Sequence, residues 1–218
     1  MRVTAVCAEV MEAIQRARAV VFDFDGTLVD STAIKWRAFD RCFAQFPERQ
    51  AEIQAYCRGH HHTPRWEKFR HVYEQILELP YTSAIAARLL ALFEEETSER
   101  VIAAREIPGA AQFVATVAAQ RMAGLLSSTP HATLLHLVER RGWRPWFTFI
   151  QGAPVHKARW LAQCKATHAP ARQELVFFGD APEDAHAAEE AGCLFVAVGA
   201  ALHGVAPHWL ADFTELCA

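Results

Sequence analysis

The feature that most constrains this chain is an apolar run that ends in acid. Ala19 to Phe24 carries Asp23 near its end, and Asp25-Gly26-Thr27-Leu28-Val29-Asp30-Ser31 follows directly. Runs of the same kind recur at Ala123 to Leu126 before Ser127, at Leu175 to Phe178 before Asp180, and at Leu194 to Val198, with Phe147 to Ile150 as a further strand. Short, continuously apolar segments of this sort read as buried parallel strands rather than as half-exposed ones. Helical spacing falls between them at Ala110 to Gln120, His131 to Arg141, Lys157 to Ala166 and Glu183 to Ala191. Alternating strands and helices predict an α/β fold, a Rossmann-like parallel sheet in a three-layer α/β/α sandwich.

Residues 33–105 break that rhythm. Ala33 to Phe46, Arg65 to Leu79 and Ser83 to Ala103 all carry helical spacing. They predict an all-helical domain at 33–105, inserted into an α/β core made of 1–32 and 106–218, with turn chemistry at Asp30-Ser31 and Pro108-Gly109. A helix over Thr4 to Arg18 precedes the sheet.

Composition narrows the function classes. Lys plus Arg number 22 against 25 Asp plus Glu, a net charge of −3, which speaks against a strongly basic nucleic-acid binder. No apolar stretch approaches the roughly 20 residues of a membrane span, and Glu9 and Glu12 interrupt any leader-like run. The six cysteines form no C-x-x-C pair, so neither a zinc knuckle nor a disulfide framework is expected, and the cytoplasm is the expected location.

Right-handed crossovers place the carboxyl ends of parallel strands on one edge, where ligands of open α/β sheets bind. Asp23, Asp25, Ser127 and Asp180 are therefore expected to meet there. Two carboxylates at i and i+2 repel unless a cation lies between them, which implies a hard, oxygen-preferring ion such as Mg²⁺. One carboxylate can then attack while the other handles a proton.

Asp23-Phe24-Asp25-Gly26-Thr27 resembles the first motif of the haloacid dehalogenase superfamily. Leu125-Leu126-Ser127-Ser128 resembles its second, Lys157 stands where the third-motif lysine is expected, and Gly179-Asp180-Ala181-Pro182-Glu183-Asp184 resembles the fourth. The resemblance implies Asp23 as a nucleophile forming an aspartyl-phosphate and Asp25 as the acid and base. It implies Mg²⁺ on the Asp23 carboxylate, the Asp25 carbonyl and Asp180. Ser127 and Lys157 would hold phosphoryl oxygens together with Gly26, Thr27 and Ser128, and Asp184 would fix Lys157 or a metal-bound water.

Plainer roles compete with several of these. Ser127 could simply end a strand, with Ser128 as the alternative hydroxyl; Lys157 could be a surface residue of a first helical turn; Asp180 could cap the helix that Pro182 opens. Ala181 departs from the family pattern, which commonly has Ser or Thr there.

An acid at position 25 fits the superfamily's phosphatases and mutases rather than its dehalogenases and phosphonatases. A phosphatase acting on a small phosphorylated metabolite, a sugar phosphate among the options, is the leading expectation. A phosphomutase and a catalytically weak phospholigand-binding module are the alternatives, and oligomeric state is left open. The insertion occupies the place of the family's helical cap, whose closure would exclude water. Within it, Arg58, His60, Arg65 and Lys68 form a basic stretch expected to meet the substrate, with Thr63 as helix cap and Pro64 as first helical residue. His60-His61-His62 gives no convincing metal site, because consecutive side chains of an extended segment point apart. Trp66, Phe69, Tyr73 and Ile76 read as core.

Overall fold

A computed structural model describes residues 2–60, 63–168 and 174–217, with side chains from Ala8 onward. The chain divides into two compact units, Met1–Asp30 with Arg105–Ala218, and Ser31–Ala104. The first contains α1 (Arg2–Arg16), β1 (Ala19–Phe22), α6 (Ala110–Gln120), β2 (Met122–Pro130), α7 (His131–Arg140), β3 (Phe149–Ala153), α8 (Lys157–His168), β4 (Leu175–Gly179), α9 (Pro182–Ala191), β5 (Leu194–Val198) and β6 (Trp209–Leu210). The second contains α2 (Thr32–Cys42), α3 (Gln50–Gly59), α4 (Arg65–His71) and α5 (Ser83–Ala103).

All six strands are parallel, in the spatial order β3-β2-β1-β4-β5-β6. The central strand shows why its sequence is apolar throughout: successive side chains of β1 leave on opposite faces, and both faces are covered. Ala19 and Val21 pack with Leu161 and Cys164 of α8 and with Ala187, Ala188 and Ala191 of α9. Phe22 leaves on the other side, stacking on Phe178 at 5.3 Å and meeting Phe113 of α6 edge-on at 6.0 Å. Helices thus cover both faces of the sheet, the three-layer α/β/α arrangement expected of the core.

From β1 the chain steps to β2 and β3 on one side, then crosses back to β4 on the other. Such a reversal opens a crevice at the carboxyl ends of the flanking strands.

The described elements of the second unit are all helical, and it has its own core. Phe39 of α2, Phe43 just after that helix, Ile53 and Cys57 of α3, Phe69 of α4, and Leu89 and Phe93 of α5 are all buried in it. Phe39 meets the Phe69 and Phe93 rings at 5.7 and 4.9 Å. After α4 the chain continues through a wider π-type turn, Val72–Ile76, which still buries Val72, Tyr73 and Ile76.

Differences from the sequence expectations are local. The helix expected from Pro64 begins at Arg65, and Thr63 does not cap it, because Pro64 is itself the extended residue before the first turn (φ −52°, ψ 142°). Trp66 is not core: it is 40% exposed. α3 and β6 were not foreseen, and β2 runs on past Leu126 to Pro130. Among the described residues, no helix is long and apolar enough to cross a membrane.

Candidate active site

The register of the central strands gathers the polar tips. Phe22 pairs with Leu125 on β2 and with Phe178 on β4, and the Asp23 amide still donates to the Phe178 carbonyl at 2.8 Å. Asp23 is therefore the first residue beyond β1, with its backbone held in the ladder and the residue as a whole 4% exposed. The chain then turns sharply: Gly26 has φ 86°, a left-handed conformation that glycine adopts without a Cβ penalty, and its amide donates to the Val29 carbonyl at 2.8 Å.

On one side of Asp23 stands a buried cation. Lys157, the first residue of α8, places Nζ 2.6 Å from Asp23 Oδ1 and 2.7 Å from Asp184 Oδ1. Asp184 sits in the first turn of α9, fully buried, because β4 ends in a residue without a side chain; a Cβ on Gly179 would lie 2.5 Å from Asp184 Cβ. The second Asp184 oxygen, Oδ2, is buried without a hydrogen-bond partner. One carboxylate oxygen each from Asp23, Asp180 and Asp184 lies within 4.8 Å of the others. Asp180 does not cap α9. Ala181 occupies that position without a side-chain cap, and Asp180 Oδ1 instead lies 3.4 Å from the Thr27 hydroxyl.

Asp25 is served from the other neighbouring strand. Thr129 Oγ1 donates to its Oδ2 at 2.8 Å and Ser127 Oγ does so at 3.3 Å, while the Thr129 amide donates to Ser127 Oγ at 3.0 Å.

The electrostatics follow from this crowding. Burial, with Asp184 and Asp25 nearby, pushes the Asp23 carboxyl up to about 6 even though Lys157 pulls it down. Burial and the Asp23 and Asp184 charges push Asp180 up to about 8. Burial opposes the charge on Lys157, but Asp184 and Asp23 outweigh it and hold the ammonium above its ordinary value. Three carboxylates share one ammonium, so the cluster has an excess of negative charge and a buried oxygen lone pair without a donor. An all-oxygen donor set of this kind suits a hard divalent cation, and Mg²⁺ fits it.

Of the residues expected at the site, Asp23, Asp25, Ser127, Lys157, Asp180 and Asp184 come together, and Gly26 forms the turn beside them. Thr27 is fully buried with its hydroxyl toward Asp180, an arrangement that orients a carboxylate rather than presenting a donor to a ligand. Strand alternation separates Ser128 from its buried neighbours Ser127 and Thr129. Thr129 is the site residue that the motif pattern did not reveal. The signal for it was the period of two in Ser127-x-Thr129.

The basic residues expected to meet substrate have partners within the helical unit. Arg65 pairs with Glu94 at 3.0 Å and lies 4.5 Å from the Phe93 ring. Lys68 is buried, donates to the Cys57 carbonyl at 3.0 Å and stands about 5 Å from the Trp36 and Phe39 rings. Arg58 is 3.8 Å from Asp40, and the exposed His60 ring is 2.8 Å from the Tyr56 carbonyl. His61 and His62 lie outside the described residues.

Residues 17–192 match the model of the haloacid dehalogenase-like hydrolase family, and the chain belongs to that family. It is similar to the phosphoglycolate phosphatase of Synechococcus elongatus, 26% identical over 204 residues that cover 89% of this chain and 92% of that protein. Among solved structures, a predicted phosphoglycolate phosphatase from Haemophilus somnus 129PT superposes with a TM-score of 0.71 at 17% identity, covering 92% of this chain and 96% of that one. A CbbY mutant from Rhodobacter sphaeroides, solved in complex with xylulose-(1,5)bisphosphate, gives 0.69 at 19% identity with the same coverage.

Proposed function

We propose that this enzyme is a Mg²⁺-dependent phosphatase that hydrolyses a small phosphorylated metabolite through an aspartyl-phosphate on Asp23. The observation that carries the reading is the division of labour between two carboxylates two residues apart. Asp23 is buried against the Lys157 ammonium, whereas Asp25 is held by two hydroxyls. A buried carboxylate oriented by a cation suits nucleophilic attack, and a hydroxyl-held carboxyl suits proton transfer.

In the proposed sequence an Asp23 oxygen attacks phosphorus and forms the acyl-phosphate bond. The phosphorus–oxygen bond to the alcohol breaks with its electron pair on that oxygen, which takes a proton from Asp25. Asp25, now a carboxylate, removes a proton from water as the water oxygen attacks phosphorus. The Asp23–phosphorus bond breaks, releasing inorganic phosphate. Lys157 fixes the Asp23 carboxylate and offers charge to the phosphoryl oxygens, and Ser127 offers them a hydroxyl. Asp184 keeps Lys157 in place. Asp23, Asp180 and the Asp25 backbone would hold Mg²⁺, with Asp184 beside them. The ion would supply charge neutralisation between an anionic nucleophile and an anionic substrate.

Residues 33–105 would act as the cap that closes over substrate, with the exposed Arg58 and His60 as candidates to bias its choice, whereas Arg65 and Lys68 would support the cap's own packing. The similarity to a phosphoglycolate phosphatase and to a protein holding a sugar bisphosphate supports a small phosphorylated metabolite as the substrate class.

The deciding assay is Asp23→Asn, which keeps the volume and removes the nucleophile. Turnover of a screened phosphate monoester with Mg²⁺ is expected to fall by at least ~10³-fold while the protein stays folded. Turnover that persists in this variant and still depends on Mg²⁺ would reject the assignment.

A further inference from the structure

We propose that Thr129 is a positioning residue for the proton-transfer step, working through Asp25. The inference rests on the reading of Asp25 as acid and base. β2 and β3 pair regularly up to Leu126 and Gln151, but the next pair is Pro130 with Ala153, so four steps along β2 match two along β3. The ladder is thus irregular over the end of β2. Ser127 and Thr129, two apart, lie on one side of the strand by ordinary alternation and are both buried, each 2% exposed.

Thr129 acts at two points. Its hydroxyl donates to Asp25 Oδ2 at 2.8 Å, the shorter of the two contacts on that oxygen. Its amide donates to Ser127 Oγ at 3.0 Å, which occupies a Ser127 lone pair and turns that hydroxyl's proton toward the same Asp25 oxygen. With two donors on Oδ2, the proton that Asp25 delivers is carried on Oδ1. A valine at 129 fills the same volume but removes the shorter of these two contacts, so the Asp25 carboxyl is held less firmly in this orientation.

A leaving-group comparison tests this. Protonation matters for an alkyl phosphate, whose alkoxide is a poor leaving group, and hardly at all for 4-nitrophenyl phosphate in the first turnover. In Thr129→Val, kcat for the alkyl substrate is expected to fall about 10- to 100-fold with KM within about 2-fold, whereas the single-turnover burst of nitrophenolate stays within about 3-fold of the parent. Thr129→Ser, which keeps the hydroxyl, should restore kcat to within about 3-fold, and Thr129→Ala provides the same comparison should the valine variant fold poorly. Equal losses for both leaving groups, or no loss for the alkyl substrate, would overturn the role given to Thr129. Asp25→Asn, measured alongside, separates the two layers. If it also fails to discriminate between the leaving groups, the acid–base reading of Asp25 falls; if it discriminates while Thr129→Val does not, only the present inference falls.

Discussion

Lys157 illustrates how single residues carry the site. An ammonium this deeply buried would be costly alone, but it stands 2.6 and 2.7 Å from two carboxylates, and removing a partner from such a cluster leaves an uncompensated charge. Its position depends on Asp184, and that of Asp184 on the absence of a side chain at Gly179. A methyl group at 179 would lie 2.7 Å from Asp184 Cγ and Oδ2 as well as 2.5 Å from Cβ. Gly179→Ala is therefore expected to destabilise the fold by about 1–3 kcal/mol, read from the denaturant midpoint, and to lower kcat by displacing Asp184 and with it Lys157. Wild-type stability and kcat in that variant would refute the coupling. Most of these residues were legible in the sequence because each closes an apolar strand or opens the helix after it. Thr129 was only half legible: Ser127-x-Thr129 carries the period of two, but that pattern does not say which carboxylate the second hydroxyl meets. The part played by Thr27 escaped for a related reason: a hydroxyl beside a glycine turn can face a ligand or a neighbouring carboxylate, and only the folded turn decides.

At the scale of elements, the sheet was readable wherever both faces of a strand are buried. β5 spans Leu194–Val198 and α6 spans Ala110–Gln120, as the patterns predict. The misses have physical causes. β6 contributes only Trp209 and Leu210, too short for any period to register. α3 buries little beyond Ile53 and Cys57, so its apolar stripe is thin and its polar residues resemble a loop. Edge strand β3 is only partly buried over most of its length, which blurs its apolar signature. Phe22 marks the opposite case, fully buried among Phe113, Phe178 and Phe213. Phe22→Ala should cost about 3–5 kcal/mol in chemical denaturation, the usual penalty for emptying an aromatic site in a core. A loss below about 1 kcal/mol would mean that the cluster collapses to fill the gap.

For the molecule as a whole, the acidic cluster would link stability to pH and to a bound divalent cation. Asp23 and Asp180 have folded-state values raised to about 6 and about 8. A raised carboxyl contributes stability that is complete below its unfolded value near 4 and is lost as pH climbs through the folded value. Metal-free protein should therefore lose stability between about pH 4 and pH 8. Mg²⁺ bound at the cluster would compensate charge that exists only once these groups ionise, so its stabilisation, seen as a rise in Tm, should be larger at pH 8 than at pH 5. Asp180→Asn should flatten the metal-free pH dependence and shrink the Mg²⁺ gain. An equal Tm rise at both pH values in the parent protein would contradict the link.

The position of β1 in the sheet also bears on how the chain assembles. Its hydrogen-bonding neighbours, β2 and β4, begin at Met122 and Leu175, beyond the whole helical unit. As the chain leaves the ribosome, the segment bearing Asp23 must wait, open on both edges, until most of the polypeptide has emerged. The strand that leads into Asp23 is thus made early and paired late, and during that interval chaperone binding or misassociation would centre on Ala19–Phe22.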